Sequence, residues 1–544
     1  FIPRSGERAP HLSVRVNIIA STLAMLRHLR ADARLWWGAL VTSWFWLTGI
    51  VVLSLLPPLI KTLIGGDEAT VTAYLALFTV SSLGCSLATG DGLWPRFLVA
   101  AAITAAAGAA LAAATFRHRR ELKARDGFLL VTLGWILIAA SATLPLLLSM
   151  PGLTFTRAFF ETMSGLTTTG STVLDGLDAL APSINFWRFS LIWLGGLSVI
   201  VVAVAVVPVL GVGGLQLSKA EAPGPVKDEK LAPRITETAR SLWLVYALLT
   251  LCGVVALRLC GMTWFDAVCH AFSAVAVGGV STHDASIGYF NSASIEVVLI
   301  VLMLISCLNF ARHFAALRRL SLKPYRHDPE LKAIAILLGA SVAFIAGLLT
   351  WHGIYPTFGT SLRYAAFNVV SMATTTGWVT VGASGFTIWP VFAPIWRLFR
   401  AGITCSTGSA GSGTKMFRTL VLARQAGREL KLLVHPSAMA PVRVAGRPVP
   451  ERAADAVLAF VFLYFMTVSV LTFAMLLTGM RFGWAFRVIV ASINNTAYGL
   501  PGQGIWNLHA LTALQTWICT AAMLLGRLEI FTVIVLFTRT FWRK

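Results

Sequence analysis

Long apolar runs alternate with short polar and basic stretches along most of the chain. From residue 94 onward, one pattern occurs four times: an apolar run, a segment of about ten residues, a Thr/Gly-rich stretch, a polar loop, and a second apolar run. A run of about 20 apolar residues spans the ~30 Å hydrocarbon core as a helix. The pattern therefore predicts an all-α polytopic membrane protein with four pseudo-symmetric helix–loop–helix repeats.

The predicted elements have definite bounds. A first helix is expected at 96–115. The segments expected in the four repeats are 127–149, 155–166 and 187–210; 241–260, 264–275 and 294–311; 332–352, 360–373 and 388–423; and 453–478, 482–493 and 510–537. The chain would then divide into 1–93, 94–126, repeat one at 127–214, a loop at 215–240, repeat two at 241–315, a loop at 316–331, repeat three at 332–423, a loop at 424–452, and repeat four at 453–544.

The N-terminal part does not follow this pattern. Residues 36–63 and 69–90 read as two extra membrane spans. The segment WWGALVTSWFWLTGIVVLSLLPPLIKTLIGGDE, within about 22–90, resembles a fragment of a major-facilitator-type transporter. We interpret residues 1–93 either as a fusion or sequencing scar or as ordinary bundle packing. The first residue is Phe and residues 1–20 make a poor signal peptide, so a truncated or processed start is expected.

The four Thr/Gly stretches hold the same place in each repeat. They read TTTGS at 167–171, VGGVS at 277–281, TTTGW at 374–378 and NTAYG at 495–499. We align them at Gly170, Gly278, Gly377 and Ala497, which gives a period of roughly a hundred residues, too long for a solenoid. Each repeat is therefore expected to be a membrane hairpin.

Charge supports this reading and sets an orientation. Only 12% of the 544 residues are charged, against roughly 25% in soluble domains, and the net charge is +21. The basic residues cluster between apolar runs, at 117–125, 219–240, 312–332, 424–452 and 539–544. By the positive-inside tendency these segments face the cytoplasm, so both spans of every repeat cross and each Thr/Gly stretch enters from outside. No nucleic-acid-binding module is visible.

Irregular backbone at membrane depth is tolerated where it is buried in protein or lines a water-filled path. Glycine reaches backbone angles that turn successive carbonyls to one side, and threonine adds a hydroxyl oxygen. Rings of such oxygens replace the hydration shell of a cation in potassium filters. Four stretches around one axis therefore predict a cation pore within one chain. The seven cysteines lie in or beside apolar runs and are read as small core residues.

Particular segments carry a family resemblance. FFETMSGLTTTGSTVL, WRFSLIWLGGLSVIVVAVAVVPVLGVGG, AEAPGP, GGVSTHDASIGYF, TTTGW and MLLGRLEIFTVIVLFTRTFWRK resemble TrkH-type potassium-uptake subunits of the Trk/Ktr/HKT superfamily over about 94–544. The resemblance implies K⁺ as the transported ion, moving down its electrochemical gradient across the bacterial inner membrane. It also implies a homodimer with a cytoplasmic nucleotide-binding TrkA-type regulatory subunit. Neither enzymatic activity nor an organic cofactor is expected.

The resemblance also implies a set of ion-binding filter residues. They are Thr168, Thr169, Gly170, Val277, Gly278, Gly279, Thr375, Thr376, Gly377, Asn495, Thr496 and Ala497. The chain departs from the common family pattern at Val277, Val280, Ala497 and Tyr498. An alanine held at positive φ would cost about 1 kcal/mol. The altered second and fourth stretches leave a poorly selective Na⁺/K⁺ pathway open as an alternative. The N-terminal fragment leaves a second alternative open, a non-conducting pseudo-transporter or assembly partner.

A second candidate site is the glycine-rich loop at 408–415, which reads GSAGSGTK. It misses the phosphate-binding P-loop by one transposition and no strand precedes it, so it is either a kink or an intramembrane gate. In the family, the matching loop lies under the filter. The expected gate residues are Gly408, Ser409, Gly411, Gly413, Lys415 and Arg527.

Arg527 lies in an apolar span, where a charge costs at least ~2.5 kcal/mol. It is read either as half of a self-neutralising pair with Glu529 or as a snorkelling end of the span. The family resemblance implies instead that it projects into the cavity below the filter as a positive barrier. His270, His283 and His313 are too scattered to suggest a transition-metal site.

Overall fold

The computed structural model describes residues 81–115, 124–201, 231–326, 328–381, 389, 405–444, 446–497 and 508–542. These belong to one compact unit, Ile60–Lys544. The predicted span at 36–63, most of that at 69–90, most of 388–404 and Tyr498 lie outside the described residues.

Helices dominate the described residues, which confirms the predicted all-α class. In chain order they are α1 Trp94–Thr115, α2 Ala124–Ser149, α3 Phe155–Leu166, α4 Pro182–Val201, α5 Leu231–Leu259, α6 Trp264–Ala276, α7 Ala293–Ser306, α8 Phe310–Arg319, α9 Lys323–Arg326, α10 Pro329–Trp351, α11 Phe358–Ala373, α12 Met416–Val434, α13 Glu451–Leu477, α14 Phe482–Ile493, α15 Ala513–Arg527, α16 Phe531–Ile534 and α17 Arg539–Trp542. Short 3-10 turns lie at Leu177–Ala179, Ser286–Tyr289 and Val535–Phe537. A small hairpin pairs β1 Arg443–Val444 with β2 Arg447–Pro448.

Four described helices, α2, α5, α10 and α13, are long and apolar enough to cross a membrane. The number rises to six if each of two bent helix pairs counts as one span. Their outward faces carry large exposed apolar side chains, such as Phe344, Phe462 and Phe473. In water such a surface would be unfavourable, whereas lipid solvates it.

The four short helices occupy the predicted places. Three of them begin at a threonine whose hydroxyl accepts a hydrogen bond from the first turn: Thr154 for α3, Thr263 for α6 and Thr357 for α11. Such caps satisfy backbone N–H groups that have no partner inside the helix. The fourth short helix, α14, begins after Arg481, which makes no side-chain cap.

Three of the four short helices contact spans of their own repeat and of a neighbouring repeat. Helix α3 packs on α2 and α4 and also on α15 of repeat four; α6 packs on α4 of repeat one; and α11 packs on α7 of repeat two. The repeats therefore follow one another around a common centre.

Two predicted spans are wrong as single straight helices. The run at 294–311 breaks into α7 and α8, which meet at 98°, and the run at 510–537 breaks after α15 with a bend of 108°. At the first break Asn309 caps α8, and the Phe310 N–H donates to the Gly408 carbonyl (3.2 Å). At the second, Glu529 and Ile530 have positive φ angles of 55° and 34°, which end the helix. Contacts from a distant loop and local backbone geometry therefore override the continuous apolar pattern.

Helix α5 begins at Leu231, inside the segment predicted as the loop 215–240. Pro233 stands in its first turn, where a missing N–H costs nothing. The helix is therefore longer at its start than its apolar part alone predicted.

Candidate functional site

The first turn of each Thr/Gly stretch bends the chain away from its short helix in the same way. The four residues at this bend all have positive φ: Thr168 (52°), Val277 (56°), Thr375 (64°) and Asn495 (48°). Three of them are β-branched, and this backbone region is costly for such side chains. The surrounding contacts must therefore hold this geometry in place.

A repeated backbone hydrogen bond does part of that work. The N–H of the residue after each bend donates to a carbonyl in the last turns of the short helix. The four bonds are Thr169 to Ser164 (2.8 Å), Gly278 to Ser273 (2.9 Å), Thr376 to Ser371 (2.9 Å) and Thr496 to Ala491 (3.0 Å). The four stretches therefore begin with the same turn and share one residue frame.

This frame corrects the predicted alignment. Two positions after each bend stand Gly170, Gly279, Gly377 and Ala497, so Gly279 and not Gly278 corresponds to Gly170. The three glycines have φ angles of 74°, 68° and 88°. Ala497 does not have a positive φ, so the strain expected for an alanine in that conformation is absent.

The glycines bring the stretches together. A Cβ added to Gly170 would overlap the Gly278 carbonyl oxygen, and one added to Gly279 would overlap the Thr376 carbonyl oxygen. One added to Gly377 would come within 2.5 Å of the Ala497 oxygen. Each stretch thus abuts the next around one centre, and the absence of a side chain permits that approach.

Side-chain hydrogen bonds join the stretches on either side of these glycines. The Asn495 amide donates to the Thr169 hydroxyl (3.0 Å) and to the Met523 carbonyl (2.8 Å), which ties repeat four to repeat one. The Trp378 indole donates to the Val280 carbonyl (2.9 Å), which ties repeat three to repeat two. The predicted filter residues of all four stretches therefore lie together in one buried cluster.

Polar side chains of the short helices hold the outgoing chain, and the sequence reasoning missed them. The Ser164 hydroxyl donates to the Ser171 carbonyl (2.6 Å) and the Ser371 hydroxyl to the Trp378 carbonyl (2.7 Å). In repeat two the Val280 N–H donates to the Ser273 hydroxyl (3.1 Å). The corresponding residue of repeat four is Ala491.

A second set of anchors stands one turn earlier on the same helices. Glu161 accepts hydrogen bonds from the Thr172 hydroxyl (3.0 Å) and the Val173 N–H (3.1 Å), and it pairs with buried Arg188 (2.7 Å). His270 bonds the Ser281 hydroxyl (3.0 Å). The Asn368 amide donates to the Thr380 hydroxyl (2.8 Å).

The residue of repeat four that corresponds to these anchors is Val488. Polar residues at one fixed position of otherwise apolar helices were the signal that could have identified both sets.

The electrostatics at this centre favour a cation. All four short helices end at the stretches, so the partial negative charge of their C-termini points toward the same place. On the side of the stretches away from the glycine-rich loop, which the charge pattern predicts to be the outer side, a cavity of about 680 Å³ borders Gly170, Gly279, Gly377 and Ala497. Its lining includes the carboxylates of Asp175 and Asp284.

Two histidine–aspartate pairs stand at this outer opening. His283 contacts Asp178 (2.5 Å) and His509 contacts Asp175 (2.5 Å). Desolvation opposes ionisation of Asp178. Hydrogen bonds from His283 and from the Asp284 N–H nevertheless hold the pKa of Asp178 below its ordinary value. The Asp178 carboxylate therefore carries negative charge at neutral pH.

The glycine-rich loop lies against the opposite, inner end of the stretches. The Ser412 N–H donates to the Thr375 hydroxyl (3.2 Å), and the Cys405 thiol, just before the loop, donates to the Thr374 carbonyl (3.5 Å). Lys415, at a positive φ of 65°, folds its ammonium back onto the Gly411 carbonyl.

The remaining loop residues predicted for the gate take other contacts. Gly408 abuts Asn309 at the break between α7 and α8. The Ser409 hydroxyl donates to the Ser406 carbonyl (2.6 Å). Gly413 has a positive φ of 86°.

Arg527 is buried beneath the stretches and contacts this loop. Its guanidinium donates to the Ala410 carbonyl (3.1 Å), the Ser412 hydroxyl (2.8 Å) and the Gly195 carbonyl of repeat one (3.1 Å). Glu529 pairs with Arg418 (2.5 Å), so the neutral Arg527–Glu529 pair is wrong. A fixed positive charge therefore stands at the inner end.

No group of three or more metal-ligating side chains occurs within the described ranges. His270 lies in an aromatic cluster beside Phe290 and Trp378, and His313 bonds Tyr325 and the Ile305 carbonyl. These two histidines therefore have structural partners.

Comparisons with known proteins agree with this arrangement. A family model described as TrkH, cation transport protein, matches residues 94–544. The chain is 45% identical over 458 residues to the Trk system potassium uptake protein TrkH of Salmonella typhimurium, covering 84% of this chain and 93% of that one. It is 39% identical over 428 residues to TrkG of Escherichia coli, covering 78% and 87%. The crystal structure of the potassium transporter TrkH from Vibrio parahaemolyticus matches with a TM-score of 0.80 at 40% identity, covering 88% of this chain and 99% of that one.

Proposed function

The chain belongs to the TrkH family of cation transport proteins, and from that premise we propose that it takes up potassium ions through the centre where the four Thr/Gly stretches meet. It is a multi-pass membrane protein of a transporter family, which is not a class of enzymes. K⁺ is the transported ion and no organic cofactor takes part. The four stretches form the filter.

The observation that carries the proposal is the approach of successive stretches at their glycines. Gly170 abuts the Gly278 carbonyl and Gly279 abuts the Thr376 carbonyl, so backbone oxygens of neighbouring repeats lie close together where the stretches meet. Oxygens held in this way can replace the hydration shell of a dehydrated cation. The helix C-termini and the outer carboxylates add favourable potential along the same path.

Uptake needs no further energy source in this chain. In the bacterial inner membrane the potential draws a monovalent cation inward with about 2.3 kcal/mol per 100 mV. The carboxylates at the outer cavity concentrate cations at the entrance. The proposed route therefore runs from this cavity, through the filter, toward the glycine-rich loop.

The glycine-rich loop is the proposed gate. Ser412 contacts the filter residue Thr375, and Arg527 binds the loop at Ala410 and Ser412. A buried positive charge at this point opposes a cation that leaves the filter. Displacement of the loop together with Arg527 would remove that barrier.

Regulation is proposed to reach the gate from the cytoplasm. A second copy of the chain and a TrkA-type nucleotide-binding subunit are the proposed partners. The relatives' names place them in a Trk system, which has more than one component. Helix α12 leads directly from Lys415 into the basic segment 424–452, which gives a partner a mechanical connection to the loop.

Flux into proteoliposomes tests the function. The purified full-length chain should take up Rb⁺ or K⁺ under an inside-negative potential and should prefer either ion to Na⁺, while empty liposomes show only leak. Equal Na⁺ and Rb⁺ uptake would favour a poorly selective pathway. No uptake of either ion, from protein that is folded and inserted, would refute transport and favour a non-conducting assembly partner.

A further inference from the structure

The methyl group of Ala497 stands among the three filter glycines. Ideal Cβ positions on Gly377, Gly279 and Gly170 would lie 2.5, 2.7 and 3.2 Å from the Ala497 Cβ. Carbon atoms in ordinary contact are 3.5–4.0 Å apart. One methyl within reach of three different stretches must lie between them, near the axis that they surround.

The same alanine breaks the sequence of contacts around the filter. Gly170 and Gly279 each meet a carbonyl of the next stretch, and in both cases it belongs to the residue just before that stretch's aligned glycine. These carbonyls are those of Gly278 and Thr376. By that rule Gly377 would meet Thr496. The nearest atoms to its added Cβ are instead the Cβ, oxygen and nitrogen of Ala497. The fourth stretch therefore contacts its neighbour through Ala497 itself and not through the residue before it.

The backbone of Ala497 explains this difference. The three glycines have positive φ angles, whereas Ala497 does not. A side chain disfavours the left-handed region, so the alanine takes another conformation and its methyl turns toward the centre. Ala497 is 6% exposed, and that small accessible surface borders the outer cavity.

We propose that Ala497 is a specificity-determining residue that restricts the outer end of the filter. A methyl group offers no lone pair to a dehydrated cation and occupies the place where an ion would be coordinated. The outermost coordination level is therefore incomplete, which slows K⁺ entry and weakens the preference for K⁺ over Na⁺. This inference rests on the proposed function.

Substitutions that remove or enlarge the methyl test the inference by Rb⁺ and Na⁺ uptake into proteoliposomes. Ala497→Gly frees the axis and allows positive φ, so Rb⁺ uptake should rise about threefold or more and the Rb⁺/Na⁺ ratio should rise with it. Ala497→Val adds two carbons at the axis and should reduce Rb⁺ uptake at least about tenfold. The matched controls are Ala179→Gly and Ala179→Val, because Ala179 is exposed on the outer loop of repeat one.

The outcomes separate this inference from the proposed function. If the unsubstituted chain transports neither ion, the proposed function fails. If it transports Rb⁺ but Ala497→Gly changes neither the rate nor the ratio, only the inference on Ala497 is overturned. An equal rise in Na⁺ and Rb⁺ uptake would also overturn it, because the methyl would then act without specificity. Ala497→Gly decides the matter even if Ala497→Val fails to fold.

Discussion

Repeats one to three and repeat four hold the same turn by different means. The first three short helices are capped by Thr154, Thr263 and Thr357, whereas α14 has no side-chain cap. Side-chain hydrogen bonds to the outgoing chain come from the helices of these three repeats at two fixed positions. The anchors are Ser164, Ser273 and Ser371, and Glu161, His270 and Asn368.

Repeat four has apolar residues, Ala491 and Val488, at both anchor positions. Its stretch is instead held by Asn495, which reaches across to Thr169 and Met523. A pseudo-fourfold site thus consists of three self-anchored walls and a fourth wall that is attached to repeat one and to its own helix α15. The chain can keep four similar turns while changing what the fourth presents to an ion.

Repeats one and four also differ on the inner side. Gly195 and Gly526 correspond, because an added Cβ on either would overlap the carbonyl of the last helical residue, Leu166 or Ile493. The next residue is Gly196 in repeat one and Arg527 in repeat four. The same position therefore permits close helix packing in one repeat and holds the buried guanidinium that we propose as the barrier in the other.

The largest effect is expected from adding a methyl to the glycines of the self-anchored walls. Gly170→Ala places a Cβ on the Gly278 carbonyl oxygen and must also hold positive φ, which costs an alanine about 1–2 kcal/mol before any clash. Rb⁺ uptake should fall about a hundredfold or more. The control is Gly339→Ala, where an added Cβ meets nothing within 4 Å. Retained Rb⁺ uptake would show that the stretch of repeat one tolerates a methyl at this position, as the stretch of repeat four does at Ala497.

The second effect concerns the inner side of repeat four. Arg527→Gln removes the charge and keeps a side chain that can bond Ser412. At an effective dielectric of 20, a unit charge about 8 Å from a cation repels it by roughly 2 kcal/mol, so Rb⁺ uptake without a regulatory partner should rise by up to about thirtyfold. Arg487→Gln, a half-buried arginine on α14, is the control. Unchanged uptake would mean that the loop, and not the charge, limits flux.

A smaller effect should follow the loss of one anchor. Ser371→Ala leaves the buried Trp378 carbonyl without its hydroxyl donor, which should cost about 1–3 kcal/mol of stability and lower the Rb⁺/Na⁺ ratio about twofold. Ser341→Ala is the matched control, because that buried hydroxyl donates to the Leu337 carbonyl of its own helix (2.6 Å). Thermal melts and paired flux measurements check both variants. If Ser371→Ala and Ser341→Ala have the same effect, Ser371 is not an anchor.

The sequence predicts the four short helices well and the filter frame less well. The bounds of α3 and α14 agree with 155–166 and 482–493 because each helix is followed by residues that favour a turn. The frame of the second stretch was wrong by one residue because Gly278 and Gly279 are adjacent, and only φ shows which one is left-handed. The bends after α7 and α15 were missed because their apolar pattern continues through the break.

The anchors were missed for a different reason. Each of them is an ordinary polar residue when it is read alone, and its role depends on which residue of the outgoing chain folds back onto it. Once the stretches are aligned at their positive-φ residues, Glu161, His270 and Asn368 fall on one position with Val488 as the exception. Local sequence therefore predicts the turn, whereas the partner of each anchor depends on the fold.

The smallest effect is expected at two ion pairs near the outer opening. One joins repeat one to repeat two, and the other joins repeat one to repeat four. Asp178 binds His283, whose side chain is 14% exposed, whereas Asp175 binds His509, which is 45% exposed. Solvent screening limits such pairs to about 0–1 kcal/mol. The pair with the less exposed histidine is screened less, so Asp178→Asn should destabilise the protein slightly more than Asp175→Asn at pH 7. Because the pKa of Asp178 is lowered in the folded state, its contribution is complete above the ordinary carboxyl value of about 3.9 and is lost as the pH falls through the lower folded value. Thermal melts from pH 7 to pH 3 should show the Asp178→Asn deficit shrinking only at the acidic end. A deficit that persists unchanged at pH 3 would rule out the carboxylate as its source.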